Sequence, residues 1–173
     1  SDALLDQLTI MAYVARNGHP LRVLFVGAPG AGKSHVGAAL AAAVGNRTLT
    51  LDATAISEVG WSGMSLTETL AAGGSAEQLS GAALVVEELD KIRINKEAHG
   101  NALDKYRNQQ AGFLSLLDRA GRITLGSGTL ISKHIHVIAT AAFADAPWVR
   151  EVRAGEVSRE AMVAYGLLPE LVD

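Results

Sequence analysis

The chain opens with apolar residues at helical spacing: Leu4, Leu5, Leu8, Met11, Ala12 and Val14 recur every three to four positions and predict a helix. Asn17-Gly18-His19-Pro20 stops it. From Arg22 to Val26 the pattern changes to a short β-branched and aromatic run without alternation, which reads as a strand buried on both faces. A glycine-rich stretch follows at once, then a helix from about Lys33 to Val44, closed by Gly45-Asn46. Arg47 to Leu51 reads as a second strand and Ala82 to Glu88 as a third. Tyr106 to Ala120 is predicted helical, with Phe113, Leu114, Leu116 and Leu117 as its apolar face. Ile123-Thr124-Leu125 and Thr129-Leu130-Ile131, joined by Gly126-Ser127-Gly128, predict a β-hairpin. His134 to Thr140 is a fourth parallel strand. Strands alternating with helices imply an α/β fold: a three-layer αβα core on a parallel sheet, with the hairpin as a small insertion. Neither an internal repeat nor a low-complexity linker interrupts the pattern, so residues 1–173 read as a single domain.

Composition narrows this picture. Of 173 residues 49% are apolar but only 5% aromatic, so the core must be built from Ala, Val, Leu and Ile, which suits helices packed closely on a sheet. The net charge of -3 gives no general electrostatic reason to bind nucleic acid. With no cysteine, disulfides, thiolate zinc sites and thiol catalysis are excluded. The longest apolar stretch, Val36 to Val44, is far too short for a bilayer, and Ser1 to Asp6 has none of the basic character of a signal peptide. A soluble cytoplasmic domain without membrane association is the expectation, and the Ser-Asp start, lacking Met, reads as that of a processed or excised segment.

Gly27-Ala28-Pro29-Gly30-Ala31-Gly32-Lys33-Ser34 has the spacing of a phosphate cradle, and it lies after an apolar strand and before a helix, where such a cradle works. Glycines let backbone N–H groups turn toward phosphates without Cβ clashes, and the helix N-terminus adds its positive dipole end. The nucleotide-contacting residues expected are Ala28, Pro29, Gly30, Ala31, Gly32, Lys33, Ser34 and His35. Lys33 would neutralise the β and γ phosphates, and Ser34 would place its hydroxyl on Mg²⁺. A second element is then required: an acid near the metal and another to polarise the attacking water. Ala82-Ala83-Leu84-Val85-Val86-Glu87-Glu88 supplies both, with Glu87 toward Mg²⁺ through water and Glu88 toward the lytic water, the alternative being an exposed acidic strand end.

At Glu87-Glu88-Leu89-Asp90-Lys91-Ile92 the sequence resembles the Asp-Glu-Ile-Asp-Lys-Ile stretch of the ClpX/HslU group of AAA+ ATPases, with Glu in place of the first Asp. The resemblance places Glu88 on the catalytic glutamate and favours ATP. Asp52-Ala53-Thr54 through Gly60-Trp61-Ser62-Gly63 is similar to the segment whose aromatic grips polypeptide in the central pore; Trp61 would take that role, or pack on its own domain. Ile135 to Phe143 resembles the sensor-1 strand, so that Thr140 would help hold the γ-phosphate or lytic water, unless it simply ends a buried strand. Gly166 to Asp173 is similar to the Gly-Leu-Ile-Pro-Glu-Phe-Ile-Gly that precedes a trans-acting arginine finger. On that pattern the arginine, the last core strand and the helical lid with its sensor-2 arginine fall outside this chain, leaving the large ATPase subdomain.

The resemblance implies an ATP- and Mg²⁺-dependent motor that remodels or unfolds a macromolecule, expected to be a polypeptide, as a ring such as a hexamer. The segment between Phe143 and Gly166 lacks the Ile-Gly-Phe-type docking tripeptide, so a peptidase partner is not expected. Two other classes stay open: a nucleotide-gated switch in which Glu87 weakens metal positioning, and a DNA-associated ATPase of the helicase-loader type, similar at Gly32-Lys33-Ser34-His35-Val36 but unlike at Asp52 to Gly63. His35, His99, His134 and His136 show no paired ligand spacing with a carboxylate; His134 and His136 would share a face of a strand whose edge feeds the nucleotide site.

Overall fold

The computed structural model describes residues 2–56, 64–94, 100–118, 120–146 and 158–167. In chain order the elements are α1 (Asp2–Arg16), β1 (Arg22–Val26), α2 (Lys33–Val44), β2 (Thr48–Asp52), α3 (Leu66–Gly73), α4 (Ala76–Leu79) and β3 (Ala83–Glu87). A 3-10 turn (Leu89–Ile92) leads to α5 (Asn101–Leu117), the hairpin β4 (Arg122–Leu125) and β5 (Gly128–Ile131), a second 3-10 turn (Ser132–His134), β6 (His136–Ala141) and α6 (Arg159–Tyr165). Four strands form a parallel sheet in the order β1-β6-β3-β2, and β4 pairs with β5 antiparallel.

The unbroken apolar runs of β3 and β6 follow from helices on both faces of the sheet. Successive side chains of a strand point to opposite sides. Ala83, Val85 and Ile138 pack with Leu40 and Ala41 of α2 and Ala15 of α1. Leu84, Val86, Val137 and Ala139 face the other way, against Leu70 of α3, Leu79 of α4, Phe113 and Leu116 of α5 and Leu130 of the hairpin. A strand clothed on both sides has no position left for polar alternation.

Several expectations need correction. β1 is half-buried at every position rather than buried, because among the described residues it pairs on one side only, with β6. α5 starts at Asn101, ahead of Tyr106, in a polar turn that carries no apolar periodicity. The pattern also passed over α3 and α4, which are too short to show a helical period. Both carry a capping box in which Ser65 and Ser75 accept from the N–H three residues on, while the Glu68 and Gln78 side chains accept from the serine N–H. His134 and His136 do not share a strand face: His134 is exposed at the end of the second 3-10 turn, whereas His136 opens β6 at the sheet end opposite the glycine-rich loop. His136 is buried and its Nδ1 accepts the Leu21 N–H at 3.1 Å. Among the described residues no helix is long and apolar enough to cross a membrane.

Gly45 closes α2 where the chain passes against β3. A Cβ there would stand 2.7 Å from both the Ala83 backbone nitrogen and its Cβ, with no flexible side chain to give way. Gly112 is the opposite case, a helical glycine of α5 with nothing within 4 Å of a built Cβ. Gly45→Ala should therefore lower unfolding free energy by about 1–3 kcal/mol, and Gly112→Ala should raise it by about 0.5–1 kcal/mol, both read from urea titrations.

Burial first, and then the neighbouring Arg22 guanidinium, hold the His136 imidazole below its ordinary pKa. Arg22 itself donates to the carbonyls of Ile135 and Ser132 at 2.7 Å. As pH falls below about 6.5, the unfolded chain takes up a proton at this position before the folded one does. The stability associated with neutral His136 is whole above that pH and is lost as pH falls toward the depressed folded value. Thermal melts from pH 7.5 to 5 should show a smaller acid-side loss for His136→Gln than for the unsubstituted chain.

Candidate functional site

The C-terminal ends of the parallel strands meet at one edge of the sheet, and the loops leaving that edge hold the residues singled out by the sequence. The 27–32 loop runs from β1 into α2. Gly30 and Gly32 adopt φ of 77° and 82°, a left-handed backbone that a side chain would oppose. Gly32 caps α2 without a side-chain hydrogen bond, and no acidic residue sits in the first turn. The opening N–H groups of α2, at Lys33, Ser34 and His35, are left as donors with the helix dipole behind them. Ala28 to Gly32, Ser34 and His35 are exposed, and Lys33 is half-buried. The Lys33 ammonium reaches back over the loop, donating to the carbonyls of Gly27 at 2.7 Å and Ala28 at 2.9 Å. A donor-rich loop with no carboxylate of its own fits a polyphosphate.

Strand register brings the other residues beside it. Phe25 pairs with Thr140 and Val26 with Ala141, and the Gly27 N–H continues the ladder to the Ala141 carbonyl at 3.3 Å. Thr140 is buried. Alternation from Ile138 turns it toward α2, where Gly37 allows close approach: a Cβ on Gly37 would lie 3.6 Å from the Thr140 methyl. On the far side of β6, Val86 pairs with Ala139, so Glu87 and Thr140 are the next positions beyond that pair. Glu87 is half-buried, as befits the last residue of β3, and Glu88 is exposed with φ 57° and ψ 38°. The left-handed turn at Glu88 lifts the chain out of the sheet and starts the 3-10 turn. The fold thus gathers Lys33, Ser34, Glu87, Glu88 and Thr140 at one edge. An oxygen set of one serine hydroxyl and a half-buried carboxylate suits a hard cation such as Mg²⁺.

Sequence reasoning gave no role to Asp90. Its side chain is buried, with Oδ1 accepting the Ala142 N–H at 3.0 Å and Oδ2 the Phe143 N–H at 3.1 Å. A charged residue inside Leu89-Asp90-Lys91-Ile92, three of whose four positions are otherwise unremarkable for a turn, was the available signal, but it has no periodicity to reveal a partner 52 residues away. A second cluster lies alongside. Asp145 accepts from the Arg93 guanidinium and from the Tyr165 hydroxyl, and Arg93 also stacks 4.2 Å from the Tyr165 ring centroid. The Tyr165 hydrogen bond, and then Arg93, hold the Asp145 carboxyl below its usual range. Burial, followed by the same bond to Asp145, pushes the Tyr165 phenol well above its own. Phe143 meets Tyr165 edge-on with centroids 5.0 Å apart, so α6 is fastened to the turn that follows β6. Trp61 and the 168–173 segment lie outside the described residues.

No curated protein matches the chain. The family model for ATPases associated with various cellular activities (AAA) matches residues 23–163, a span that runs from β1 through the cradle, the acidic pair and Thr140 into α6. This three-layer αβα P-loop core therefore belongs to the AAA family of ATPases and is an ATP-binding module.

Proposed function

We propose that this domain couples ATP hydrolysis to the remodelling or unfolding of a polypeptide, as one subunit of a ring of the ClpX/HslU kind. The observation that carries the catalytic half of the reading is the convergence of the Lys33 cradle, Glu88 and Thr140 on one sheet edge through the β1-β6-β3 register. AAA domains commonly assemble into rings, which supports the oligomer. The polypeptide substrate rests on the likeness around Asp52 to Gly63, with Trp61 as the gripping aromatic. No peptidase partner, nucleic acid or membrane enters this reading.

In the proposed reaction, the N–H groups of the 28–35 stretch bind the α and β phosphates, and the Lys33 ammonium exchanges its two loop carbonyls for β and γ oxygens. Ser34 and, through water, Glu87 would hold Mg²⁺, which supplies charge neutralisation across the phosphates. Glu88 accepts the proton of the attacking water as its oxygen approaches the γ-phosphorus, and the β–γ bridge breaks to leave ADP. Buried Thr140 offers its hydroxyl to the γ-phosphate or that water from the floor of the site. Glu87 is one methylene longer than the aspartate of the ClpX/HslU stretch, so to serve the same cation its carboxylate would shift or the backbone at the strand end would give.

Lys33→Ala should weaken ATP binding by at least about 100-fold, measured by calorimetry; retained affinity would contradict the cradle assignment. Glu88→Gln should keep ATP bound and slow hydrolysis by about 100-fold or more. Trp61→Ala in the assembled protein should leave basal ATPase standing while unfolding of a tagged polypeptide is lost. Stimulation of turnover by single-stranded DNA and not by unfolded protein would instead favour a helicase-loader role, and unchanged turnover in Glu88→Gln a nucleotide-gated switch.

A further inference from the structure

Asp90 is a carboxylate only 2% exposed, and among the described residues no cation pairs with it. Burying such a charge is unfavourable unless hydrogen bonds replace its water. Here each oxygen takes one backbone N–H, those of Ala142 and Phe143. The bond pair joins two places that are otherwise far apart in the chain: the 3-10 turn that begins just after Glu88 and the turn that begins just after Ala141.

Backbone conformation at both ends needs such a clamp. Glu88, at φ 57°, and Phe143, at φ 47°, are the two non-glycine residues with positive φ among those described. Side chains disfavour that region, and residues stay in it only where their surroundings over-determine the backbone. Asp90 lies two residues after Glu88, inside the 3-10 turn that Glu88 opens, and bonds Phe143 directly, so one residue links the two positions. Thr140 sits two residues before Ala142, on the same rigid strand end.

We propose that Asp90 is a positioning residue for hydrolysis: its two hydrogen bonds set where Glu88 stands relative to Thr140, and so where an attacking water is held against the γ-phosphate. The inference rests on the catalytic reading of Glu88 and Thr140 given above. Asp90 acts through the backbone groups of Ala142 and Phe143. Its contribution falls on the step that needs the γ-phosphate: the phosphate-binding loop is anchored by the pairing of β1 with β6, and the Gly27 N–H takes the carbonyl side of the Ala141–Ala142 peptide group whose N–H Asp90 holds.

The test compares the full chain with Asp90→Asn, which keeps the shape but turns an amide N–H₂ toward one of the two N–H groups. Three readouts are taken well below the melting temperature: affinity for ADP with Mg²⁺, the rate of ATP hydrolysis in single turnover with protein in excess, and the ¹⁵N–¹H signals of Ala142 and Phe143 with ADP or a non-hydrolysable ATP analogue. ADP affinity should stay within about threefold and single-turnover hydrolysis should fall about tenfold or more. The difference between the ADP- and analogue-bound signals of Ala142 and Phe143, present in the unsubstituted chain, should vanish. Should Asp90→Asn fail to fold, Asp90→Glu keeps the charge but displaces the oxygens, and the same pattern is expected of it. Hydrolysis at the unsubstituted rate, analogue-specific signals that survive, or a parallel loss of ADP affinity and thermal stability would each overturn the proposal. Glu88→Gln run alongside separates the two ideas: if it hydrolyses normally, the catalytic reading itself fails, and if it is inactive while Asp90→Asn is normal, only the role of Asp90 fails.

Discussion

A strand hydrogen-bonded on both edges and covered on both faces has to satisfy every backbone group within the sheet, and β6 is in that position between β1 and β3. All six of its residues are buried. Its register is consequently locked from both sides, since a slip of one residue would exchange Ile138 for Val137 and Ala139 between two differently filled cores. The rest of the site inherits its geometry from that lock. The loop after β1 and the acids after β3 come from distant parts of the chain, and they meet because each strand pairs with β6.

Small side chains turn this sheet into a seat for phosphate. With few aromatics available, α2 presents Gly37, Leu40 and Ala41 to the strands, and its first turns lie close over Thr140 and Phe25. The helix axis is thereby aimed so that its uncapped N–H groups open onto the loop. Lys33 shows what that loop does electrostatically in the protein alone. Its ammonium rests on the carbonyls of Gly27 and Ala28, where the backbone of the loop itself presents negative ends to it.

Beyond β6 the described residues are held by polar groups and a small apolar core instead of sheet pairing. Asp90 secures the turn at Ala142 and Phe143, Phe143 fills a small core with Ala141, Ala146 and Leu167, and Tyr165 closes over it while bonding Asp145. Gln110 of α5, fully buried, donates to the carbonyls of Ile92 and Gly166 at 3.0 and 2.9 Å, so the acidic turn, α5 and the end of α6 share one set of contacts. Movement of α6 would accordingly be felt at the turn next to Thr140.

Local chemistry made much of this legible before any coordinates. The Gly27–Ser34 cradle, the strand entering it and the helix leaving it are adjacent in the chain, and their residue types report their own backbone needs, so β1 and α2 were placed to the residue. The apolar run from Ala82 that closes in Glu87-Glu88 announced a strand end, whereas the two-face burial read from Arg22–Val26 did not hold. What the tertiary structure decided is whatever depends on a partner far along the chain. Strand order made β1 half-buried, put His136 under Leu21 at the far end of the sheet from the nucleotide edge, and gave Asp90 its two donors from residues 142 and 143. Hydropathy at a single position cannot carry that information, because a hydrogen-bond partner more than fifty residues away leaves no period in the sequence, only a polar residue where an apolar one would otherwise be buried.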